Sequence, residues 1–451
     1  MNYLDFDLLF VSAPGLYFLA LMISSVVYIP IIRLSVSSIF DPLGENLVFS
    51  MFASAIVIFL AFTKHVETPY LIQFVTSELL FLGCLAAIPK YRQTTKVDDT
   101  RLADPEHRRF LQSLYLLSAC IFILSQGAAY AIGGIPLFYE SRLDYYAAGG
   151  GFGFLSRVIS TSSFFCWYLL IHRLAYRWKI GFWPKIADIF LLVSLSLAAV
   201  LSGSKSTFVS VLFLLFYFRV LHRNSDLYSK KRDRLFIRGQ KLILAAALGG
   251  VVVVLLSTGR AGGISESLYQ FYYRVVLSGD GYFMGYPNNV LRAVDSRSPL
   301  VAIFGGTLGM LRLISPDQLP EPLGFQLFHL TGGVGSFGPN PRHNLFGLVY
   351  FGAGASVFYS AFLGLLVGLV RNGGRRFVCL GGVSELMYVL LAVSVVSVNI
   401  DLVLFVSDVT NFVVVGIPLL CGARIISLAT QPLSTNETHA RIGHLYLGPG
   451  R

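Results

Sequence analysis

Charge is scarce in this chain. Asp, Glu, Lys and Arg make up only 13% of its 451 residues, too few to cover the surface of a water-soluble protein of this length. Cysteine is scarce as well. All five (Cys84, Cys120, Cys166, Cys379 and Cys421) fall inside apolar runs, which excludes a disulfide framework and a cysteine-based metal site. They read as small hydrophobes in helix packing. The sequence also lacks a His/Cys cluster, a Walker loop and a Gly-x-Ser-x-Gly elbow. Gly203-Ser-Lys-Ser206 has no leading glycine at phosphate-loop spacing. No metal and no cofactor is expected. Internal repeats, heptads and low-complexity tracts are missing too, which argues against a transporter built from repeat halves.

Apolar residues fill the space that charge leaves. They make up 55% of the chain, and the mean hydropathy is +0.68. The runs are about as long as ~30 Å of hydrocarbon demands. Eleven spans are expected, near 13–33, 45–63, 70–89, 110–133, 152–172, 184–202, 206–221, 241–258, 344–370, 377–398 and 403–425. The fold class is therefore an all-α polytopic membrane protein, a single domain over 1–428 with a polar, disordered tail at 429–451. Met1 to Asp7 carries two acids and no Lys or Arg, so no cleavable signal peptide is expected.

Basic residues orient the spans. Lys90, Arg92, Lys96, Arg101, Arg108 and Arg109 share one loop, Arg173, Arg177, Lys179 and Lys185 another, and Arg371, Arg375 and Arg376 a third. Loop 219–241 adds eight cations. With eleven spans all of these fall on one side, which the positive-inside rule makes the cytoplasm. Of the 35 Lys and Arg, 25 lie there or in the tail and 10 lie opposite. The net charge of +11 is then anchoring beside anionic lipid and implies no nucleic-acid partner. The stretch 299–314 is apolar, but a crossing there would turn Arg371, Arg375 and Arg376 outward. It reads as an interfacial or re-entrant piece of the long external loop, 259–343.

The external cations are few enough to take singly. Lys64 ends the second span and reads as a snorkelling anchor. Arg142 lies in a short loop that runs into Gly149-Gly-Gly151, and Arg157 follows just inside the fifth span. Lys205 interrupts the tight 202–206 turn. Arg260 opens the long loop, Arg274 precedes Ser278-Gly-Asp-Gly-Tyr282, and Arg342 closes it in Gly338-Pro-Asn-Pro-Arg-His343. A guanidinium presents a planar fork of donors to phosphate oxygens, and Arg at membrane depth is a functional-site candidate by default. Taken one by one, each is more often an interface anchor. Arg157, Lys205, Arg260 and Arg342 together, on the side the positive-inside rule depletes, reverse that preference for the group. His343 starts nearest the pKa a general base needs. Asp280, between two glycines, is the other candidate base, although Gly-Asp-Gly is also a common turn.

Several of these segments together resemble a known family. They are Gly133-Gly-Ile-Pro136 leading to Arg142, the Gly-Ser-Lys-Ser turn, and Gly338-Pro-Asn-Pro-Arg-His343 followed by Leu345-Phe-Gly-Leu-Val-Tyr-Phe-Gly352. With the late external loop, they resemble the O-antigen polymerases (Wzy-type), over about 110–420. The resemblance implies a GT-C-like enzyme of the bacterial inner membrane whose active face is periplasmic. Such enzymes move a growing glycan from undecaprenyl diphosphate onto another carrier-linked repeat unit, without nucleotide sugar. Arg342, Arg274 and Arg157 would contact the diphosphate, with Arg142, Lys205, Arg260 and Asn340 around them, and His343 or Asp280 would take the acceptor proton. Donor and acceptor repeat units and the lipid bilayer are the implied partners, and a chain-length regulator is compatible with them. One departure is that the first external loop, 134–151, is short. An O-antigen ligase of the same superfamily, or a lipid-linked glycan flippase or transporter, is the alternative reading. Asp401, Asp408 and Glu385, inside or beside late spans, favour the transporter.

Overall fold

The computed structural model describes residues 1–88, 90, 104–138, 153–176, 182–202, 206–225, 228, 230–258, 272–273, 275–296, 298–315, 318–335, 338–380 and 382–431. Among the described residues there are helices and turns and no strand. In chain order the helices are α1 (Tyr3–Ser12), α2 (Pro14–Ser35), α3 (Pro42–Phe62), α4 (Thr68–Ala87), α5 (Pro105–Gly133), α6 (Phe154–Tyr176), α7 (Phe182–Leu201) and α8 (Ser206–His222). They continue with α9 (Lys230–Thr258), α10 (Asp280–Gly285), α11 (Pro299–Met310), α12 (Leu323–Leu330), α13 (Arg342–Gly368), α14 (Val383–Ser394), α15 (Leu402–Asn411) and α16 (Ile417–Ala429).

Seven helical stretches among the described residues are long and apolar enough to cross a membrane: α2 to α6, α13 with its continuation, and α15 running into α16. The chain is a helical membrane protein. Each of the eleven expected spans falls largely on a helix, and α11, with 12 residues, is too short to cross.

Local chemistry sets where helices begin. Asp41 accepts the Leu43 N–H at 3.1 Å and Asp104 the Glu106 N–H at 3.0 Å, and proline follows each of them. The carboxylate satisfies one orphan amide of the first turn, and proline removes another. α1 was not expected. It starts on a capping box between Asn2 and Asp5 and buries Phe6 and Phe10, with Phe6 stacked on Phe283 at 4.2 Å between centroids.

Two buried regions result. The first joins α1 to α4 with α10, α12 and α13. The second joins α5 to α8 with α14 and α16. Buried ion pairs sit at helix ends in both. Arg371 pairs with Asp41, and Arg173 with Asp188 at 2.9 Å. The first of these expected lipid-facing anchors is thus tied inside the first region, and the second inside the second.

The stretch 342–370 departs most from expectation. α13 is not a straight rod, because Gly352 has φ 75° and ψ 173°, a conformation essentially closed to other residues. His343 Nδ1 lies 2.9 Å from Ser360 Oγ, 17 residues on, where a straight helix would separate them by ~25 Å. The Phe346 and Tyr359 rings meet at 6.0 Å. Residues 342–351 and 353–368 are therefore antiparallel arms of a hairpin, the second lying along α4. Arg342 and His343, expected at a bilayer surface, are 5% and 3% exposed and sit beside the middles of α3 and α4.

Candidate functional site

Loop 338–342 is held by close backbone approach. A Cβ on Gly324 would lie 1.8 Å from Pro339 O, and one on Gly281 2.9 Å from Asn340 O. This seats the loop between α10 and α12 and leaves Asn340 exposed. Arg342 then turns inward with φ 47°. Its N–H donates to Ile400 O at 2.9 Å, its Nε and Nη2 to Ser278 O at 3.1 and 2.8 Å, and its Nη1 to Ser50 Oγ at 3.0 Å. The guanidinium therefore binds the turn that precedes Asp280.

Asp280 accepts from Tyr3 O–H and from Gly281 N–H, each at 3.0 Å. Burial of its carboxyl outweighs these bonds and the attraction of Arg342, and pushes its pKa up to about 6. His343 sits deeper. Its Nε2 is 3.3 Å from Glu78 Oε2, and its ring stacks on Phe81 at 4.7 Å. Asn344 donates to Glu78 Oε2 and Ser77 Oγ at 2.9 Å and accepts from Tyr282 O–H at 2.6 Å. Tyr28 O–H closes the network on Glu78 Oε1. The structure thus brings Asp280 and Arg342 together and gives His343 to a separate buried network.

Arg157 lies elsewhere. Its Nη1 donates to Asn411 Oδ1 at 2.5 Å and its Nη2 to Gly306 O at 3.4 Å. It joins α6, α15 and α11, and Thr307 and Thr410, 2.7 Å apart, add to that contact. Asn411 also faces a cavity of about 430 Å³ lined by residues of α5, α6, α7, α8, α14 and α15. Ser160, Ser163, Ser202, Thr207 and Ser210 face it, as do Gln126 and the carboxyl-bearing Asp408. Phe164 and Trp167 supply flat apolar surface. Ser163 and Ser202 give their hydrogens to Ser160 O and Ala199 O, so each can offer an oxygen lone pair to a bound group.

Arg142, Lys205, Arg260 and Arg274 lie outside the described residues. Ser202 and Thr207, which flank Lys205 in sequence, both line the cavity. Sequence reading missed Asn411 and the serine set. Their only signal was hydroxyl groups recurring on otherwise apolar helices. It also missed a meeting of His172, His222 and Glu385 at the opposite end of α6 and α8. No family model matches this chain, and no curated protein or solved structure matches it either.

Proposed function

We propose that this chain is a membrane glycosyltransferase that polymerises polyprenyl-diphosphate-linked oligosaccharide repeat units at the periplasmic face of a bacterial inner membrane. In this reading its eleven spans form a GT-C-like bundle. The observation that carries the proposal is the hydroxyl-lined cavity beside Arg157. Its volume of about 430 Å³ lies within the ~300–1,000 Å³ of ordinary ligand sites. Serine and threonine oxygens suit sugar hydroxyls, and Phe164 and Trp167 suit sugar faces or an isoprenoid. The resemblance of the segments around Arg142, Lys205 and Arg342 to O-antigen polymerases supports the same reading.

The chemistry follows from the groups present. An acceptor hydroxyl attacks the anomeric carbon of the donor sugar, and the bond from that carbon to the diphosphate oxygen breaks. The acceptor proton passes to a carboxylate, and the polyprenyl diphosphate leaves with its negative charge. Asp408 is the carboxylate of the cavity wall and takes the proton. Arg157 neutralises the leaving diphosphate from the cavity edge. Arg342 holds the Ser278–Asp280 turn and His343 belongs to the buried Glu78 network, so in this reading neither they nor Asp280 touch the reacting atoms.

A gene-deleted host complemented with wild type, Arg157→Ala or Asp408→Asn tests this, with surface polysaccharide resolved by length at matched membrane abundance. Both variants should lose the ladder and keep a single capped repeat, a fall of about 100-fold or more in polymer. Loss of every capped form would point to the ligase or flippase. A full ladder from both variants would remove the assignment.

A further inference from the structure

Two histidines and one glutamate, far apart in sequence, meet where α6, α8 and α14 come together. His172 Nε2 is 3.0 Å and His222 Nε2 2.9 Å from the same oxygen, Glu385 Oε1. All three residues are 0–1% exposed, and their ligand atoms lie within 4.8 Å of one another. The imidazole rings stand at 89° with centroids 4.9 Å apart. The two nitrogens therefore converge from different directions instead of stacking side by side.

We propose that His172, His222 and Glu385 form a binding site for one divalent transition-metal cation of the zinc class. Two imidazoles and a carboxylate are a recurrent ligand set for such ions. The two imidazole-to-carboxylate separations of about 3 Å are near the spacing that ~2.0–2.1 Å metal–ligand bonds impose. The outer contacts fit as well. His222 Nδ1 lies 2.5 Å from Tyr176 O–H, the kind of second bond that fixes the tautomer and aim of a ligating imidazole. Tyr168 O–H lies 2.5 Å from Glu385 Oε1 and can serve as a fourth donor. Bound as phenolate it gives up one proton to solvent, and with the carboxylate it balances the two positive charges. A buried site then carries no net charge.

A plain hydrogen-bonded pair explains the arrangement less well. Three groups crowd one carboxylate oxygen, while His172 Nδ1 is buried with no partner. The cation would sit beneath the cavity. Trp167, Leu214 and Leu390 line that cavity, one to two turns along the same three helices. The ion would tie these three helices together, whatever the cavity binds.

The test uses the full chain in mild detergent, stripped with chelator and then titrated with Zn2+ or Co2+. Wild type should retain ~1 equivalent, with the visible d–d bands of four-coordinate Co2+. His172→Ala and Glu385→Gln should lose both. Tyr176→Phe leaves every ligand in place and should fold normally, yet bind Zn2+ ~10-fold or more weakly. The site is refuted if stripped wild type binds no stoichiometric metal. It is equally refuted if monodisperse Tyr176→Phe and Glu385→Gln bind as wild type does.

Discussion

Glu78 and Glu385 invite comparison, because each is a buried carboxylate facing histidine on apolar helices. Around Glu78 the partners are shared out. Tyr28 takes one oxygen, and Asn344 and His343 take the other. His343 passes its second nitrogen to Ser360, and Asn344 its carbonyl oxygen to Tyr282. Around Glu385, Tyr168, His172 and His222 all converge on one oxygen, and His172 Nδ1 is left over. Similar residues thus make two different objects. The first is a saturated network that locks a hairpin against α4. The second gathers three groups on one carboxylate oxygen, the set proposed above to hold a cation.

Truncating each carboxylate tests that contrast and should give the largest effect. Glu78→Ala leaves His343, Asn344 and Tyr28 buried without their acceptor, which should cost about 3–5 kcal/mol. Thermal unfolding in detergent should fall accordingly, yet should still rise with added Zn2+, because the Glu385 site is intact. Wild-type protein should melt higher as Zn2+ is added, and Glu385→Ala should not. A Glu78→Ala protein that melts with wild type would mean the first network is not structural.

Sequence reading found the helical membrane character because runs of about 20 apolar residues say what they are, and seven such helices stand among the described residues. It could not find the hairpin. Gly352 sits between Phe351 and Ala353 in an unbroken apolar stretch, and only its positive φ marks the turn. It named Glu385 but not its partners, because His222 and His172 lie 163 and 213 residues away and no motif spacing links them. It named Arg342 but set it at the mouth of a span, where the structure buries it beside the middles of α3 and α4. The guanidinium is nonetheless spent on Ser278 and Ser50, and that is a tertiary fact.

The turn itself gives the second prediction, and it acts on the first region alone. A Cβ at Gly352 meets nothing within 4 Å, so Gly352→Ala adds backbone strain without a clash. It should lower stability by ~1–3 kcal/mol. Gly354, just past the turn and equally open, is helical, and Gly354→Ala should be neutral or mildly stabilising. Equal losses from the two would mean that crowding by lipid or protein, not φ, is what the site resists.

The smallest effect separates the two regions by pH. Asp280 packs on the hairpin side, and burial holds its pKa near 6 against an ordinary ~3.9. The folded state therefore binds a proton more tightly than the unfolded chain. Its contribution is complete below about pH 4 and is lost as pH rises through 6. A rise of that size corresponds to about 3 kcal/mol between protonation states. The side chain is partly exposed, so about 1–2 kcal/mol is expected after screening. Melting of metal-free wild type should therefore drop between pH 4 and 6, and Asp280→Asn should flatten that drop. Metal-loaded protein should show the opposite slope from the second region, because protonated imidazoles release the cation as pH falls. If Asp280→Asn keeps the full acid-side slope, that slope comes from another group, and the Tyr3–Asp280 contact carries no pH response.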